Sequence, residues 1–185
     1  MQFKTLAFLS ILSILFFTGC SSEDKKTTDV TQEETVIKKS NEISLTTIDN
    51  KTITIINDDN KYKIKEYPNK IVLLNFFATW CPPCKAEIPN LITLQEKYQG
   101  DFKVISVLLE KNKSNEEIVE FSNKFNINYD VTNTEDNFKL ADKIGPIKSI
   151  PTMFMLDKNG DVFQKYIGIV PVEMMELDIN RLLKK

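Results

Sequence analysis

The 185-residue sequence contains no histidine. That absence removes the usual zinc ligand, the usual general base and every Cys–His or Ser–His dyad from the available mechanisms. Positive charge is not in excess either: 24 Lys and Arg stand against 26 Asp and Glu, a net charge of -2. Phosphate backbones therefore find no basic field, and nucleic acid is not an expected partner. No internal repeat is visible, and the longest apolar run, Leu6 to Phe17, is short for crossing a bilayer. Cysteine is scarce. Cys20, Cys81 and Cys84 are the full set, an odd number that leaves one thiol needing its own explanation in an exported protein.

The N-terminal segment supplies that explanation. Lys4 precedes the apolar run, a pattern that suits a signal-peptide core. The run closes in Phe17-Thr18-Gly19-Cys20, which resembles the bacterial lipobox. The resemblance implies a signal peptide over residues 1–19 and a lipid-modified Cys20 as the mature N-terminus. Ser21 to Ser40 is rich in Ser, Thr, Asp, Glu and Lys and has no apolar period, so residues 20–42 are expected to be the lipidated cysteine and a flexible tether. Twenty such residues reach roughly 70 Å fully extended and average about 25 Å as a coil. Residues 43–185 are then one domain, large enough to bury a core without disulfide staples.

Within that domain the pattern reads first as strands. Ile43 to Leu45 and Thr52 to Ile55 alternate around an Asp49-Asn50-Lys51 turn, which predicts a β-hairpin, and Tyr62 and Ile64 alternate with lysines in a third short strand or irregular edge. Ile71 to Ala78 is almost wholly apolar, as a central strand covered on both faces should be, with Asn75 its polar interruption. Pro82 to Tyr98 reads as a helix presenting Cys84, Ile88, Leu91, Ile92 and Gln95 on one face, with a kink expected at Pro89. Phe102 to Leu109 is a second buried strand, and Ser114-Asn115-Glu116-Glu117 is a capping box opening a helix with Ile118, Phe121 and Phe125 inward. A short strand near Tyr129 to Val131, a helix from Asp136 to Ile144 stopped by Gly145-Pro146, a hairpin of Thr152 to Leu156 with Val162 to Ile167, and a helix from Val172 to Leu183 complete the chain.

The chemistry lies where the buried strand meets its helix, at Trp80-Cys81-Pro82-Pro83-Cys84. Unpaired amides and the helix dipole favour negative charge at a helix N-terminus, so Cys81 is the expected nucleophile. Cys84, one turn deeper, is placed to resolve a mixed disulfide, and Trp80 is expected to cover the site. A zinc site would need four ligands that a chain without histidine does not offer, so no metal is expected. A purely structural bridge closing so small a loop would gain little chain entropy. Glu87, three residues after Cys84, shares its helix face, where a partly buried carboxylate could take the Cys84 proton; the bland alternative is a solvated helix carboxylate.

Trp80-Cys81-Pro82-Pro83-Cys84 followed by Lys85-Ala86-Glu87-Ile88-Pro89 resembles the TlpA/ResA branch of the thioredoxin-like family, and Ser149-Ile150-Pro151-Thr152 resembles its cis-proline loop. The resemblance implies an α/β thioredoxin fold, a central mixed sheet flanked by helices with an N-terminal β-hairpin extension. It also implies a cis Pro151 facing the cysteines, with Ile150, Pro151 and Thr152 binding an extended substrate edge, and a redox disulfide between Cys81 and Cys84 as the sole redox group, without a cofactor. Glu87 matches a buried glutamate of that branch, whereas Asn75 stands where thioredoxin proper has an aspartate.

Because Pro82 and Pro83 lack the N–H groups that would solvate a Cys81 thiolate, that thiolate should be only modestly stabilised and the couple reducing. The expected role is a monomeric, membrane-anchored reductant at the periplasmic face. Its expected clients are oxidised exported proteins, with apocytochrome c among them by resemblance, and its recharging needs a membrane electron donor of the DsbD/CcdA type. An oxidase or isomerase on the same fold, and a non-enzymatic peptide-binding lipoprotein, remain open. A peroxiredoxin would carry proline and threonine ahead of its cysteine, where this chain has Leu74 and Ala78, and a copper chaperone would need wider cysteine spacing and a histidine.

Overall fold

The computed structural model describes residues 41–184. The signal peptide, Cys20 and nearly all of the tether therefore lie outside the described residues. Strands β1 (Glu42–Thr46), β2 (Thr52–Asp58) and β3 (Lys61–Ile64) open the domain and pair in the antiparallel order β1-β2-β3. The expected hairpin is thus two strands of a separate three-stranded sheet. Its alternating residues Ile43, Leu45, Ile53, Ile55, Tyr62 and Ile64 are all buried, which is what a sheet with one covered face requires.

The remaining strands, β4 (Ile71–Phe77), β5 (Phe102–Leu108), β6 (Asp130–Thr132), β7 (Thr152–Leu156) and β8 (Val162–Ile167), form a second sheet in the order β6-β5-β4-β7-β8. β4 runs parallel to β5 and antiparallel to β7. Helices α1 (Pro82–Lys97), α2 (Asn115–Lys124), α3 (Asp136–Ile144) and α4 (Val172–Leu183) connect and follow these strands. No helix among the described residues is long and apolar enough to cross a membrane.

Every residue of β4 is buried, and its side chains divide by the strand's period of two. Ile71, Leu73 and Phe77 pack in one core with Leu91 and Leu94 of α1, Ile118 of α2 and Met175, Ile179 and Leu182 of α4. Val72, Leu74 and Phe76 pack in the other with Leu140 and Ile144 of α3 and with the N-terminal sheet. The three-stranded sheet is therefore part of a covering layer. It is tied to the β6 edge by Ile48 donating to the Val131 carbonyl at 2.9 Å and Asn133 donating to the Thr46 carbonyl at 3.0 Å.

Helix α1 runs through Pro89 without ending there, and its buried side is Cys84, Glu87, Ile88, Leu91, Leu94 and Gln95. Ile92 lies only partly buried at the margin of that face, Leu94 taking the central place. Gln95 is tolerated inside because its Oε1 accepts from the Val104 amide at 2.9 Å. The Ser114 capping box is present in both directions, with the Glu117 amide donating to Ser114 and the Ser114 amide donating to Glu117.

The β7–β8 turn docks on β3. The Tyr62 amide donates to the Gly160 carbonyl at 2.7 Å, and Gly160 has φ +87, with a would-be Cβ 2.9 Å from the Tyr62 backbone. Gly160→Ala should therefore cost about 2 kcal/mol in urea unfolding, whereas Gly100→Ala, which meets nothing within 4 Å, should change stability by less than about 0.5 kcal/mol. Equal midpoints for the two variants would contradict this account of how the N-terminal sheet is docked.

Candidate active site

The turn between β4 and α1 builds the site. The Cys81 amide donates to the Ala78 carbonyl at 3.2 Å, and Cys81 becomes the N-cap of α1 with extended backbone, φ -80 and ψ 111. A helix leaves its first amides unpaired. Here Pro82 and Pro83 occupy the first two positions and carry no N–H, so the first available donor is Cys84, whose amide donates to Cys81 Sγ at 3.2 Å. The two cysteines are joined by a disulfide, with Cα atoms 5.3 Å apart.

Both cysteines are nearly closed to solvent, Cys81 at 2% and Cys84 at 4% exposure, while Trp80 is 64% exposed. Trp80 therefore stands beside the disulfide as a projecting apolar surface and does not bury itself over it. Pro82 and Pro83 are exposed on the same rim. Together with Leu109, Ile147, Lys148, Ser149 and Ile150 these residues enclose an open groove of about 460 Å³ that reaches Cys81.

The loop before β7 forms the groove's far wall. The Ile150–Pro151 bond is cis. The Ile150 carbonyl lies 3.7 Å from Cys81 Sγ, and neither the amide nor the carbonyl of Ile150 has a backbone partner among the described residues. Pro151 is buried and its carbonyl accepts from the Gly168 amide at 2.8 Å. Thr152 sits differently from a substrate-facing residue: its side chain is 1% exposed, and its hydroxyl donates to the Ser149 carbonyl at 2.7 Å. Its hydroxyl braces the loop, and the exposed side of this loop is Ser149 and Ile150.

Glu87 is fully buried, which removes the solvated-carboxylate alternative. Oε2 accepts from the Val170 amide at 3.1 Å, and Oε1 has no partner among the described residues. Burial pushes the Glu87 carboxyl above its ordinary range, while the hydrogen bonds from Val170 and Asn90 act in the opposite sense. A carboxyl three residues from Cys84 on one helix face, with one oxygen uncommitted, is well suited to exchange a proton with that thiol.

Two further features were not legible in the sequence. Asn90 Nδ2 donates to the Val170 carbonyl at 3.3 Å, so Glu87 and Asn90 hold both polar groups of Val170 and through it the segment that reaches Pro151 by way of Gly168. Glu110, just past β5, receives the Thr79 amide at 3.0 Å and the Thr79 hydroxyl at 2.7 Å on one oxygen. Only the tertiary fold brings these residues together. Asn75 Nδ2 donates to Ser106 Oγ at 2.9 Å, and its Oδ1 is buried without a partner among the described residues. Among the described residues no group of three or more His, Cys, Asp or Glu is arranged to hold a metal ion.

With this geometry established, comparison with known proteins is specific. The Redoxin family profile matches residues 25–183. "Thioredoxin-like protein YneN" of Bacillus subtilis (strain 168) is 29% identical over 126 residues, which covers 65% of this chain and 69% of that protein. "Thiol-disulfide oxidoreductase ResA" of Bacillus thuringiensis (strain Al Hakam) is 30% identical over 116 residues, 63% of this chain and 65% of that one. The chain thus spans about two thirds of the length of these relatives. A crystal structure of a thiol:disulfide interchange protein of the thioredoxin family from Chlorobium tepidum TLS superposes with a TM-score of 0.60 at 25% identity, covering 77% of this chain and 93% of that chain.

The raised Glu87 carboxyl sets a sign for pH dependence. A carboxyl whose folded value lies above the ordinary 4.5 binds its proton more tightly in the folded state. Its contribution to stability is therefore complete below that ordinary value and is lost as pH rises through the folded one. Glu87→Gln should accordingly gain stability relative to the parent protein as pH rises from acid to neutral, read from urea midpoints across that range; parallel curves would show that Glu87 is not perturbed.

Proposed function

The chain belongs to the Redoxin family, and on that footing we propose that it is an extracytoplasmic thiol:disulfide oxidoreductase working as a reductant. The observation that carries this reading is the double engagement of Cys81 Sγ, which receives the Cys84 amide at 3.2 Å on one side and faces the Ile150 carbonyl at 3.7 Å on the other. The nucleophile thus sits between a helix N-terminus that favours its thiolate and a backbone edge open to an extended polypeptide.

In the reduced protein the Cys81 thiolate attacks one sulfur of a client disulfide. The client S–S bond breaks, a client thiolate leaves, and a mixed disulfide joins Cys81 to the client. Cys84 then gives its proton to Glu87 and attacks Cys81 Sγ, forming the Cys81–Cys84 disulfide and releasing the second client thiolate. Two electrons pass from the protein's dithiol to the client. The exposed Trp80 and the half-buried Ile150 offer apolar contact along the groove, and main-chain pairing at Ile150 makes recognition tolerant of client sequence.

The direction of transfer follows from the first turn of α1. Two prolines withhold two amides that would otherwise stabilise the thiolate, so the reduced form gains little and the couple gives up electrons readily. In an oxidising compartment such a protein has to be recharged, which calls for a membrane electron donor of the DsbD/CcdA type. Lipidation at Cys20, with the segment after it as a tether, would hold the domain at the periplasmic face. Oxidised exported proteins are the client class, and haem-attachment cysteines of apocytochrome c are a fitting member of it.

Insulin reduction with a chemical recharging thiol tests the activity. Wild type should accelerate it and Cys81→Ser should fall to the uncatalysed rate; an unchanged rate in Cys81→Ser would leave only a peptide-binding role. Cys84→Ala should accumulate mixed disulfides with exported proteins in cells, identifiable after non-reducing separation. Cys20→Ala should move the protein from the membrane to the soluble fraction, and retention at the membrane would contradict the lipid anchor.

A further inference from the structure

Glu110 has no part in the exchange steps, yet its carboxylate is built into the segment that carries Cys81. It stands two residues beyond β5, where the Leu109 amide donates to the Phe77 carbonyl at 2.8 Å and holds the two strand ends side by side. One Glu110 oxygen takes both the amide of Thr79 at 3.0 Å and its hydroxyl at 2.7 Å. The turn leading to Cys81 is therefore closed from within by the Cys81 amide and the Ala78 carbonyl, and from outside by Glu110.

This carboxylate is largely enclosed by its neighbours. Its side chain is 13% exposed, and the other oxygen lies 3.8 Å from Lys113 Nζ, which is closer, at 2.9 Å, to Glu117. Two hydrogen bonds to a carboxylate are of the strong, charge-assisted kind. Cys81 follows Thr79 by two residues, so their Cα atoms are at most about 7.6 Å apart. A negative charge bonded to Thr79, two residues before Cys81 and only slightly exposed, is only partly screened. The cations Lys148, on the groove wall, and Lys85, Lys111 and Lys113 nearby in sequence act in the opposite sense; Glu87 lies behind Cys84.

We propose that Glu110 is a positioning residue for Cys81, fixing through Thr79 the turn that aims the sulfur into the groove and placing a negative charge that opposes formation of its thiolate. The charge works in the same direction as Pro82 and Pro83: they withhold stabilising dipoles, and Glu110 adds a destabilising one. Both bias the couple toward giving electrons. This inference rests on the thiol–disulfide reading of the site.

The test uses the whole chain with Cys81 and Cys84 reduced, and compares wild type, Glu110→Gln and Thr79→Val. Gln keeps the volume and an oxygen acceptor but loses the charge, whereas Thr79→Val loses the hydroxyl bond and leaves the charge in place. The readout is the pH dependence of Cys81 alkylation by iodoacetamide, with a thermal melt to verify folding. In Glu110→Gln the alkylation midpoint should fall and the rate at neutral pH should rise about two- to fivefold. Thr79→Val should keep the wild-type midpoint. An unchanged midpoint in a folded Glu110→Gln, or an equal fall in Thr79→Val, would overturn the electrostatic role. Failure of the function itself would appear separately, as a wild type that reduces no insulin disulfide whatever its alkylation profile.

Discussion

The Cys84 amide donates to the Cys81 sulfur across the first turn of α1, and the site is organised around that bond. A helix N-terminus ordinarily presents several free amides to an anion. Here two of them are absent because Pro82 and Pro83 fill the first two positions, and the Lys85 amide is taken by the Cys81 carbonyl at 3.2 Å. The sulfur therefore receives one helix-turn donor where a different dipeptide would allow more. In the proposed function, one donor is enough to make Cys81 the attacking thiol and too little to make the reduced form a deep energy minimum.

That bond needs a rigid frame, and the two cores provide it. β4 is buried on both faces, so the strand end that delivers Ala78 and the turn to Cys81 cannot shift without disturbing α1 and α4 on one side or α3 and the N-terminal sheet on the other. From α1 the frame extends outward. Glu87 and Asn90 hold Val170, Gly168 holds the Pro151 carbonyl, and Pro151 sets the loop whose Ile150 carbonyl faces the sulfur. The proton acceptor proposed for Cys84 is thus mechanically joined to the edge proposed for the client through the segment from Val170 to Gly168 and Pro151.

Local signals made much of this legible. The alternation in Ile43 to Ile55, the apolar run of Ile71 to Ala78, the Ser114 capping box and the Gly145-Pro146 stop each follow from short-range physics, and each corresponds to an element of the structure. The cysteine pair was legible because its chemistry needs particular residues at particular spacing, and the proline loop through its resemblance to a known family. What the sequence withheld depends on tertiary approach. The third strand's membership of a separate sheet depends on pairing with β2, and Leu94 is fully buried where Ile92 is only partly so. Thr152 turns its hydroxyl inward to Ser149, and Glu110 finds Thr79 across 31 residues of chain. No periodicity carries such contacts.

The central claim is that a site with so few helix donors around Cys81 forms an electron-giving couple, and its reduction potential measures that directly. Equilibrating the Cys81–Cys84 pair against glutathione buffers and separating the two forms by thiol alkylation gives the value. An electron-giving couple should have a potential more negative than about -180 mV, on the reducing side of disulfide isomerases. A value near -120 mV, characteristic of a strong exported oxidant, would contradict it.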